Sequence, residues 1–248
     1  MQPNSYPVPL PRKFPERVPK ELIRDLPLLA FGGTIQVLTE SKEARRVARR
    51  LLQEPVLGFD TETRPAFRRG VEYEVSLLQL ATQEECFLFR LNHLGLPDYL
   101  VKLLASPKIV KIGVALRDDI RGLRRINDFT PHGFVDLSEV AKKLGIVTVG
   151  LRNLAAILLN SRISKKAQLS NWERSELDVA QRSYAATDAW VCVEMLHYLQ
   201  QEGFAQDLSA LEMGRSAASE GRRQKAEGRR QGERSVAKPA SSPQDLAS

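Results

Sequence analysis

The stretch VLGFDTETRP, residues 56–65, decides the fold. It begins with the almost wholly apolar run that is typical of a central β-strand covered on both faces, and it then places Asp60 and Glu62 two residues apart. Because side chains alternate between the faces of a strand, the two carboxylates point the same way and lie close together. Two such charges repel each other unless a cation lies between them. The stretch therefore indicates either oxygen ligands for a divalent metal or two solvated carboxylates at the mouth of a loop.

A regular alternation of strands and helices extends on both sides of this stretch. The pattern predicts a strand at 34–38, a helix with one apolar stripe at 41–52, and an antiparallel hairpin of strands at 75–82 and 85–91. Further along, it predicts strands at 109–113 and 133–137 and helices at 98–104, 118–125, 138–144, 151–159 and 176–201. This order indicates an α/β fold in which a mixed sheet carries helices on both faces.

The two ends of the chain differ in composition from its middle. Seven of the fourteen prolines fall within the first 27 residues, so we expect a leader, 1–33, without regular helix or central strand. The segment from Gly214 to Ser248 carries eight Lys/Arg against four acids, so we expect a disordered basic tail at 206–248. The tail is either a flexible arm for nucleic acid or a solvated segment. One domain, 34–205, lies between the two ends.

The composition also argues against several classes of protein. The two cysteines fall in a predicted strand and a predicted helix, where we expect reduced core residues, and the three histidines share no spacing of zinc ligands. The chain has no secretory signal and no run of roughly 20 apolar residues, so we expect a soluble, cytoplasmic protein without a membrane partner. The net charge of +7 favours a polyanionic partner, although the segment from Gly214 to Ser248 carries +4 of it.

Three further acids and a tyrosine lie where they can complete a metal site. Asp118 and Asp119 stand at the start of the predicted helix in KIGVALRDDIRGL, where an aspartate is ordinarily a helix cap. In QRSYAATDAW, Tyr184 and Asp188 lie four residues apart on the buried face of a helix. Asp188 would be an unpaired acid in the core unless it met a cation. A bound metal ion would remove the cost of burying Asp188 and also the repulsion between Asp60 and Glu62.

In this order the three segments resemble the DEDD superfamily of 3′-5′ exonucleases. The matching residues are DTE at the strand end, the Asp of DIRGL with the apolar residues after it, and YAATD in the late helix. The tyrosine four residues before the last aspartate marks the DEDDy branch, and the segments SLLQLAT and SNWERSELDVAQRSYAATDAW are similar to ribonuclease D and Werner-type exonuclease domains. The resemblance covers roughly residues 34–202 and implies a ribonuclease H-like, DnaQ-like mixed sheet flanked by helices.

The resemblance also implies a role for each residue of the motifs. Asp60, Glu62 and Asp188 would hold one Mg²⁺ or Mn²⁺ ion, and Asp60 and Asp119 would hold a second. Two such ions can clamp the attacking and leaving oxygens of a phosphodiester displacement. Tyr184 would orient the attacking water, because a free tyrosine with a pKa near 10 is a poor base at neutral pH.

Substrate contacts are expected beside the first motif. The backbone near Thr61 would meet the terminal sugar, and Phe67 would pack on the terminal base or ribose unless it packs within the domain. Arg68, Arg69 and Lys111 are candidates for phosphate contacts.

The predicted activity is the removal of nucleotides from the 3′ end of a nucleic acid by two-metal-ion phosphodiester hydrolysis, with DNA as the expected polymer. No helicase or helical RNA-binding module is recognisable in the sequence, which favours a stand-alone exonuclease. Ribonuclease D-like trimming of RNA 3′ ends is the first alternative. The second is a catalytically silent nucleic-acid-binding module, which would be free to lose the ligands that this sequence retains.

Overall fold

A mixed sheet of six strands lies at the centre of the part of the chain that the computed structural model describes, residues 14–68 and 70–204. The strands are β1 (Thr34–Leu38), β2 (Val56–Thr63), β3 (Val75–Ala81), β4 (Glu85–Arg90), β5 (Val110–Gly113) and β6 (Phe134–Asp136). In space they follow the order β1-β4-β3-β2-β5-β6. All six correspond to predicted strands, with ends that differ by a few residues.

Strand β3 is antiparallel to both of its neighbours, and every other pair of adjacent strands is parallel. The predicted hairpin of β3 and β4 is therefore confirmed. The interior strand β2 buries its apolar residues Leu57 and Phe59 completely, as expected for a strand covered on both faces. It also runs further than predicted, through Thr63, and the register shifts only after Glu62. The polar end of β2 is consequently held by the backbone ladder of the sheet.

Eight helices pack around this sheet within the described residues. They are α1 (Lys20–Asp25), α2 (Ser41–Leu51), α3 (Leu91–Leu94), α4 (Asp98–Leu104), α5 (Arg117–Ile126), α6 (Leu137–Lys143), α7 (Leu151–Leu159) and α8 (Val179–Gln201). Every predicted helix is present, and the single-turn helix α3 was not predicted. Helix α8 begins later than predicted because Asp178 and Gln181 form a reciprocal capping box that fixes its first turn.

Helix α8 joins two clusters of buried apolar side chains. One cluster packs α8 against α6, α7 and the β5–β6 side of the sheet, and it includes Val191 and Cys192. The other packs α8 against β3 and β4, and it includes Ala185, Trp172 and Cys86. Both cysteines are buried and unpaired, which confirms that they are reduced core residues. Because both clusters share α8, this helix is fixed over the centre of the sheet.

The prediction that the leader forms no regular helix is wrong for residues 20–25, which form α1. Pro19 directly precedes the first turn, where a missing N–H removes no helical hydrogen bond, and the next proline follows only after the helix has ended. Phe14, Ile23 and Phe31 are buried, and the two phenylalanines belong to the clusters around α8. This part of the leader is therefore packed on the domain.

The predicted basic tail, 206–248, lies outside the described residues, as do residues 1–13 and Arg69. Within the described ranges, no helix is both long enough and apolar enough to cross a membrane. The predicted domain boundaries and the cytoplasmic location stay predictions.

Candidate active site

The polar end of β2 lies directly beneath α8. Gly58, Asp60 and Glu62 share one face of the strand because side chains alternate between faces. A Cβ atom at Gly58 would overlap the backbone carbonyl of Ala189, so a glycine is needed for α8 to lie this near β2. Asp188, next to Ala189, is thereby brought to the strand face that carries the two other carboxylates.

Three of the predicted ligands form one group, which we call the acidic cluster: Asp60, Glu62 and Asp188. One carboxylate oxygen from each lies within 4.8 Å of the other two. Asp60 and Glu62 are half-buried, whereas Asp188 is 5% exposed, and its Oδ1 has no hydrogen-bond partner among the described residues. Carboxylates this close and this buried are unfavourable without a cation. The oxygen-only donor set fits a hard ion such as Mg²⁺ or Mn²⁺ better than zinc.

Asp119 lies beside the acidic cluster rather than within it. It stands in the first turn of α5, and the hydroxyl of Thr61 donates a hydrogen bond to its carboxylate. Its charge raises the pKa of both β2 carboxyls, which shows that it lies near them. The neighbouring Asp118 points into solvent, with a side chain 79% exposed, and pairs with Arg121 on the helix surface. Of the two aspartates, Asp119 is the one that turns toward β2.

Burial raises the pKa of Asp60, Glu62, Asp119 and Asp188, and nearby carboxylates add to the shift at the first three. Burial raises the pKa of Glu62 to about 9, and it raises that of Asp188 to about 7 against an opposing hydrogen bond from Tyr184. Burial raises the pKa of Asp119 to about 6. The pKa of Asp60 lies well above its usual value, first because of burial and then because of the neighbouring carboxylates. Glu62 therefore retains its proton near neutral pH, and Asp188 retains its proton in part, until a cation displaces these protons.

The acidic cluster opens into a cavity of about 460 Å³, which we call the active-site cavity. It is lined by all three clustered acids, by Thr61 and Tyr184, and by Ala115, Arg152, Asn153 and Gln168, which the sequence analysis did not single out. Arg152 was missed because a lone arginine at the start of an amphipathic helix carries no local signal. Its proximity to the acids follows only from the packing of α7 on α8.

Tyr184 stands one helical turn before Asp188 on α8, and both side chains line the active-site cavity. Burial, followed by the charges of Asp188 and Glu62, raises the pKa of the tyrosine above its usual value. The hydroxyl therefore stays protonated at neutral pH, which suits a group that orients a water and not a group that removes a proton. The buried ring of Trp172, from the SNW segment, lies 6.0 Å from the tyrosine ring and helps to position it.

A residue that the sequence analysis missed, Asp136, holds the turn that leads into α5. Its carboxylate accepts hydrogen bonds from the backbone N–H groups of Ala115 at 2.9 Å and Leu116 at 3.1 Å, and from the N–H and hydroxyl of Ser138. Ala115 has a φ of 60°, a left-handed conformation that is unfavourable for a residue with a side chain. The hydrogen bonds to Asp136 stabilise this strained turn and so position the start of α5, which carries Asp119.

Phe67 is not brought to the acidic cluster. Its side chain is 83% exposed and lines a separate cavity together with Arg68 and Leu169. The prediction that Phe67 packs on the terminal base or ribose stays a prediction, as does the phosphate contact of Arg68. Arg69, the third residue of this stretch, lies outside the described residues.

The prediction that Lys111 contacts phosphate does not agree with the structure. Its side chain is fully buried, and its Nζ donates hydrogen bonds to the carbonyl oxygens of Ser106 at 2.7 Å and Ile109 at 2.9 Å. The ammonium also lies 5.1 Å from the centre of the Phe134 ring. The lysine is part of the interior near the start of β5, where its charge is balanced by backbone oxygens.

Comparison with known proteins places this chain among the nucleases. A family model described as 3′-5′ exonuclease matches residues 35–203, which is more than half of the chain. The chain belongs to this 3′-5′ exonuclease family, as the motifs predicted.

Two curated relatives show how far the similarity extends. The chain is 31% identical over 228 residues to the mouse bifunctional 3′-5′ exonuclease/ATP-dependent helicase WRN. This alignment covers 82% of the chain and 16% of the mouse protein. It is 31% identical over 172 residues to ribonuclease D of Haemophilus influenzae. This second alignment covers 67% of the chain and 42% of the bacterial protein. The chain thus spans less than half the length of either relative.

The crystal structure of Escherichia coli RNase D superposes with a TM-score of 0.60 at 19% identity, over 69% of this chain and 47% of that chain. At this identity the likeness concerns the fold alone. It confirms the predicted ribonuclease H-like α/β fold, a mixed sheet flanked by helices.

Proposed function

We propose that the protein is a divalent-metal-dependent exonuclease that removes nucleotides from the 3′ end of a nucleic acid. The observation that carries the proposal is the acidic cluster, three carboxylates within 4.8 Å of one another at the end of an interior strand. A buried group of this kind is unfavourable in a scaffold and favourable when it binds cations. The family to which the chain belongs supplies the reaction type.

The four acids would hold two metal ions. Asp60, Glu62 and Asp188 would share the first, and Asp60 together with Asp119 would hold the second. When bound, two divalent cations supply the activation of a water and the stabilisation of the leaving oxygen in an in-line displacement. The unpartnered Oδ1 of Asp188 and the short reach from the α5 start to β2 support this ligand set.

The remaining residues of the site would orient the reacting groups. Tyr184, protonated at neutral pH, would hold the attacking water through its hydroxyl. The hydrogen bond from Thr61 would fix the orientation of the Asp119 carboxylate. Thr61 also lines the active-site cavity, where its backbone would meet the terminal sugar. Correct orientation of this kind supplies a large part of the rate in phosphoryl transfer.

We propose DNA as the polymer, with RNA as the alternative. The alternative has a specific basis, because one relative with 31% identity is named a ribonuclease. A binding module without catalysis is disfavoured because the chain retains all four acids and the tyrosine. The polymer is decided by contacts to the 2′-OH, which the protein groups alone do not define.

The decisive experiment uses matched single strands of DNA and RNA, labelled at either end and incubated with Mg²⁺, Mn²⁺ or EDTA. We expect a ladder that shortens from the 3′ end and releases mononucleotides only with metal. The variant Asp60→Ala should leave the substrate intact. Metal-dependent shortening by Asp60→Ala would contradict the two-ion site, and intact strands in every lane with folded wild-type protein would favour the binding module.

A further inference from the structure

A second cavity, of about 470 Å³, adjoins the active-site cavity and is lined by cations. We call it the basic groove, and its charged residues are Lys20, Arg24, Arg152, Arg162, Lys165 and Lys166. The remaining lining is Ile23, Asn153, Ile163 and Ser164, so the groove contains no carboxylate. Arg152 and Asn153 line both cavities, so the basic groove borders the active-site cavity.

The groove is assembled from segments that are distant in the sequence. Helix α1 supplies two of the cations, α7 supplies one, and the segment after α7 supplies three. The chain after α1 is fastened to that segment by hydrogen bonds from Leu29 N–H to the Arg162 carbonyl at 2.8 Å and from Arg162 N–H to the Pro27 carbonyl at 2.9 Å. The Nε of Arg162 also donates to the Leu26 carbonyl at 2.9 Å. Together with the buried Ile23, these contacts fix α1 at the rim of the groove.

Helix α1 has no net charge, yet it presents only its cations to the groove. Lys20 and Arg24 lie four residues apart on one face, whereas Glu21 and Asp25 are displaced by one residue and do not line the cavity. Among the described residues, no carboxylate forms an ion pair with any of the six cations. The six cations repel each other, and a bound polyanion would offset this repulsion by its attraction to all of them.

Arg152 connects the basic groove to the chemistry. It lines the basic groove and also the active-site cavity, which Asp188 lines as well. Its Nε is shielded from solvent and has no hydrogen-bond partner in the part of the chain that the structure describes. Among the described residues, this Nε–H is therefore not committed to a protein acceptor at the point where the two cavities meet.

A strand whose 3′ end lies in the active site continues in one direction only. Another cavity, lined in part by Thr61 and the predicted ligand Asp119, also borders the active site. Its other charged lining residues are three acids and two arginines: Glu72, Glu74, Asp118, Arg64 and Arg125. Phosphates would therefore be attracted more strongly in the basic groove, which has six cations and no carboxylate. The two exits from the active site are thus distinguished by charge.

We propose that the basic groove binds the phosphates of the substrate strand on the 5′ side of the scissile bond, and that the leader helix α1 is part of the nucleic-acid-binding surface. The proposal rests on the exonuclease function proposed above. It adds a binding segment outside residues 35–203, the part matched by the family model. It also identifies the preferred substrate as a strand long enough to reach from the active site to α1.

The test compares two pairs of substitutions that remove the same charge from the full chain. Lys20→Gln/Arg24→Gln changes the groove, and Lys42→Gln/Arg49→Gln changes exposed cations of α2 as the matched control. Binding is measured in EDTA by fluorescence anisotropy with a labelled single strand of about twelve nucleotides, long enough for a typical single-strand site. The α1 pair should weaken binding about tenfold at low salt and reduce the slope of log Kd against log salt by about 1.4, which corresponds to two lost phosphate contacts.

A second pair, Lys165→Gln/Lys166→Gln, changes exposed residues on a different segment and should give the same direction of change. It keeps the test valid if the α1 pair lowers the melting temperature. Equal Kd values and equal salt slopes for the control and both groove pairs would overturn the proposal.

Turnover separates this proposal from the exonuclease function. With metal, the α1 pair should raise KM for the long strand and lower the ratio of its kcat/KM to that of a dinucleotide. Hydrolysis with unchanged KM would overturn the role of the groove and leave the exonuclease standing. Tight, salt-sensitive binding that depends on α1, without hydrolysis by the wild type, would contradict the exonuclease function and support the groove.

Discussion

The acidic cluster and the basic groove meet at Arg152 and concentrate charge of opposite sign. In the cluster, burial raises the pKa of each carboxyl, so a bound cation is needed to favour the fully charged cluster at neutral pH. In the groove, six cations lie together without a carboxylate in the lining. Each region is unfavourable by itself and becomes favourable when its ligand binds. The comparison indicates a division of tasks, with the reaction at the end of the sheet and retention of the strand on the neighbouring surface.

This division has a kinetic consequence. Changes in the acidic cluster should lower kcat, because they remove interactions with the reacting groups. Changes in the basic groove should raise KM, because they remove interactions with a remote part of the strand. A variant that mixes the two effects would show that the regions are not independent.

The largest effect is expected from two neighbouring aspartates of α5. Asp119→Asn should lower kcat by about a thousandfold, because it removes one ligand of the second ion and with it several kcal/mol of transition-state stabilisation. Asp118→Asn is the matched control, since its carboxylate faces solvent and pairs with Arg121. Single-turnover rates with saturating metal measure both. Equal rates for the two variants would break the assignment of Asp119 to the metal site.

The next effect should come from the tyrosine of the site. Tyr184→Phe should lower kcat by about ten- to a hundredfold and leave KM for the strand nearly unchanged, because a misplaced water slows the reaction without weakening strand binding. Tyr99→Phe is a control at a remote tyrosine whose hydroxyl is buried and has no partner among the described residues. If Tyr184→Phe changes KM and not kcat, the tyrosine binds the strand and does not orient the water. The acidic cluster and the basic groove would then not divide catalysis and binding between them.

A smaller effect is expected from pH in the metal-free protein. The carboxyls of the site have folded-state pKa values of about 6, 7 and 9, all above their unfolded values. The folded state therefore binds more protons than the unfolded state, and stability should fall as the pH rises from about 4 to about 9. Metal competes with these protons, so Mg²⁺ or Mn²⁺ should raise the melting temperature most at the high end of this range.

Thermal unfolding in EDTA and in metal, across that range, tests the sign. Asp60→Ala supplies the control, because it removes repulsion from the cluster and should flatten the loss of stability in EDTA. A melting temperature in EDTA that rises steadily across the same range would show that the carboxyls are not held at raised pKa values.

The smallest effect should come from the strained turn at the edge of the active-site cavity. Ala115→Gly relieves a left-handed φ that disfavours a side chain by about 1–2 kcal/mol, and it adds about 0.5–1 kcal/mol of backbone entropy to the unfolded state. The net result should be a gain in unfolding free energy of about 0.5 kcal/mol. Chemical denaturation measures it, with Ala66→Gly as a loop control whose φ is negative. A loss of stability at Ala115 comparable to the loss at Ala66 would contradict the strain.

Much of the acidic cluster could be predicted from the sequence because its geometry is local. Asp60 and Glu62 share a face because they are two apart in a strand, and Tyr184 and Asp188 share a face because they are four apart in a helix. The apolar runs and their turn residues likewise predicted the sheet and the order of its elements. Spacing within a segment does not show which segments meet. The prediction that β2, α5 and α8 contribute to one site therefore came from the resemblance to an exonuclease family.

The features that were missed depend on contacts between distant segments. Lys111 looked like a surface cation in the sequence, but backbone oxygens of the preceding loop enclose it. Asp136 was not singled out in the sequence, because its hydrogen bond from Ala115 forms only when β6 lies beside β5. The helix α1 was missed because the seven prolines of the short leader outweighed the longest proline-free stretch among them, residues 20–26.

The fastening of the leader to the domain affects how the protein should be cut for laboratory work. A recombinant fragment that began at residue 35, where the family match begins, would keep every predicted catalytic residue. It would lack Lys20, Arg24 and the ring contacts that Phe14 makes with Tyr198 and Phe204 at 6.4 and 5.2 Å. Such a fragment would expose apolar surface and release long strands easily. Weak activity of that fragment would then result from the missing leader and would not represent the activity of the longer chain.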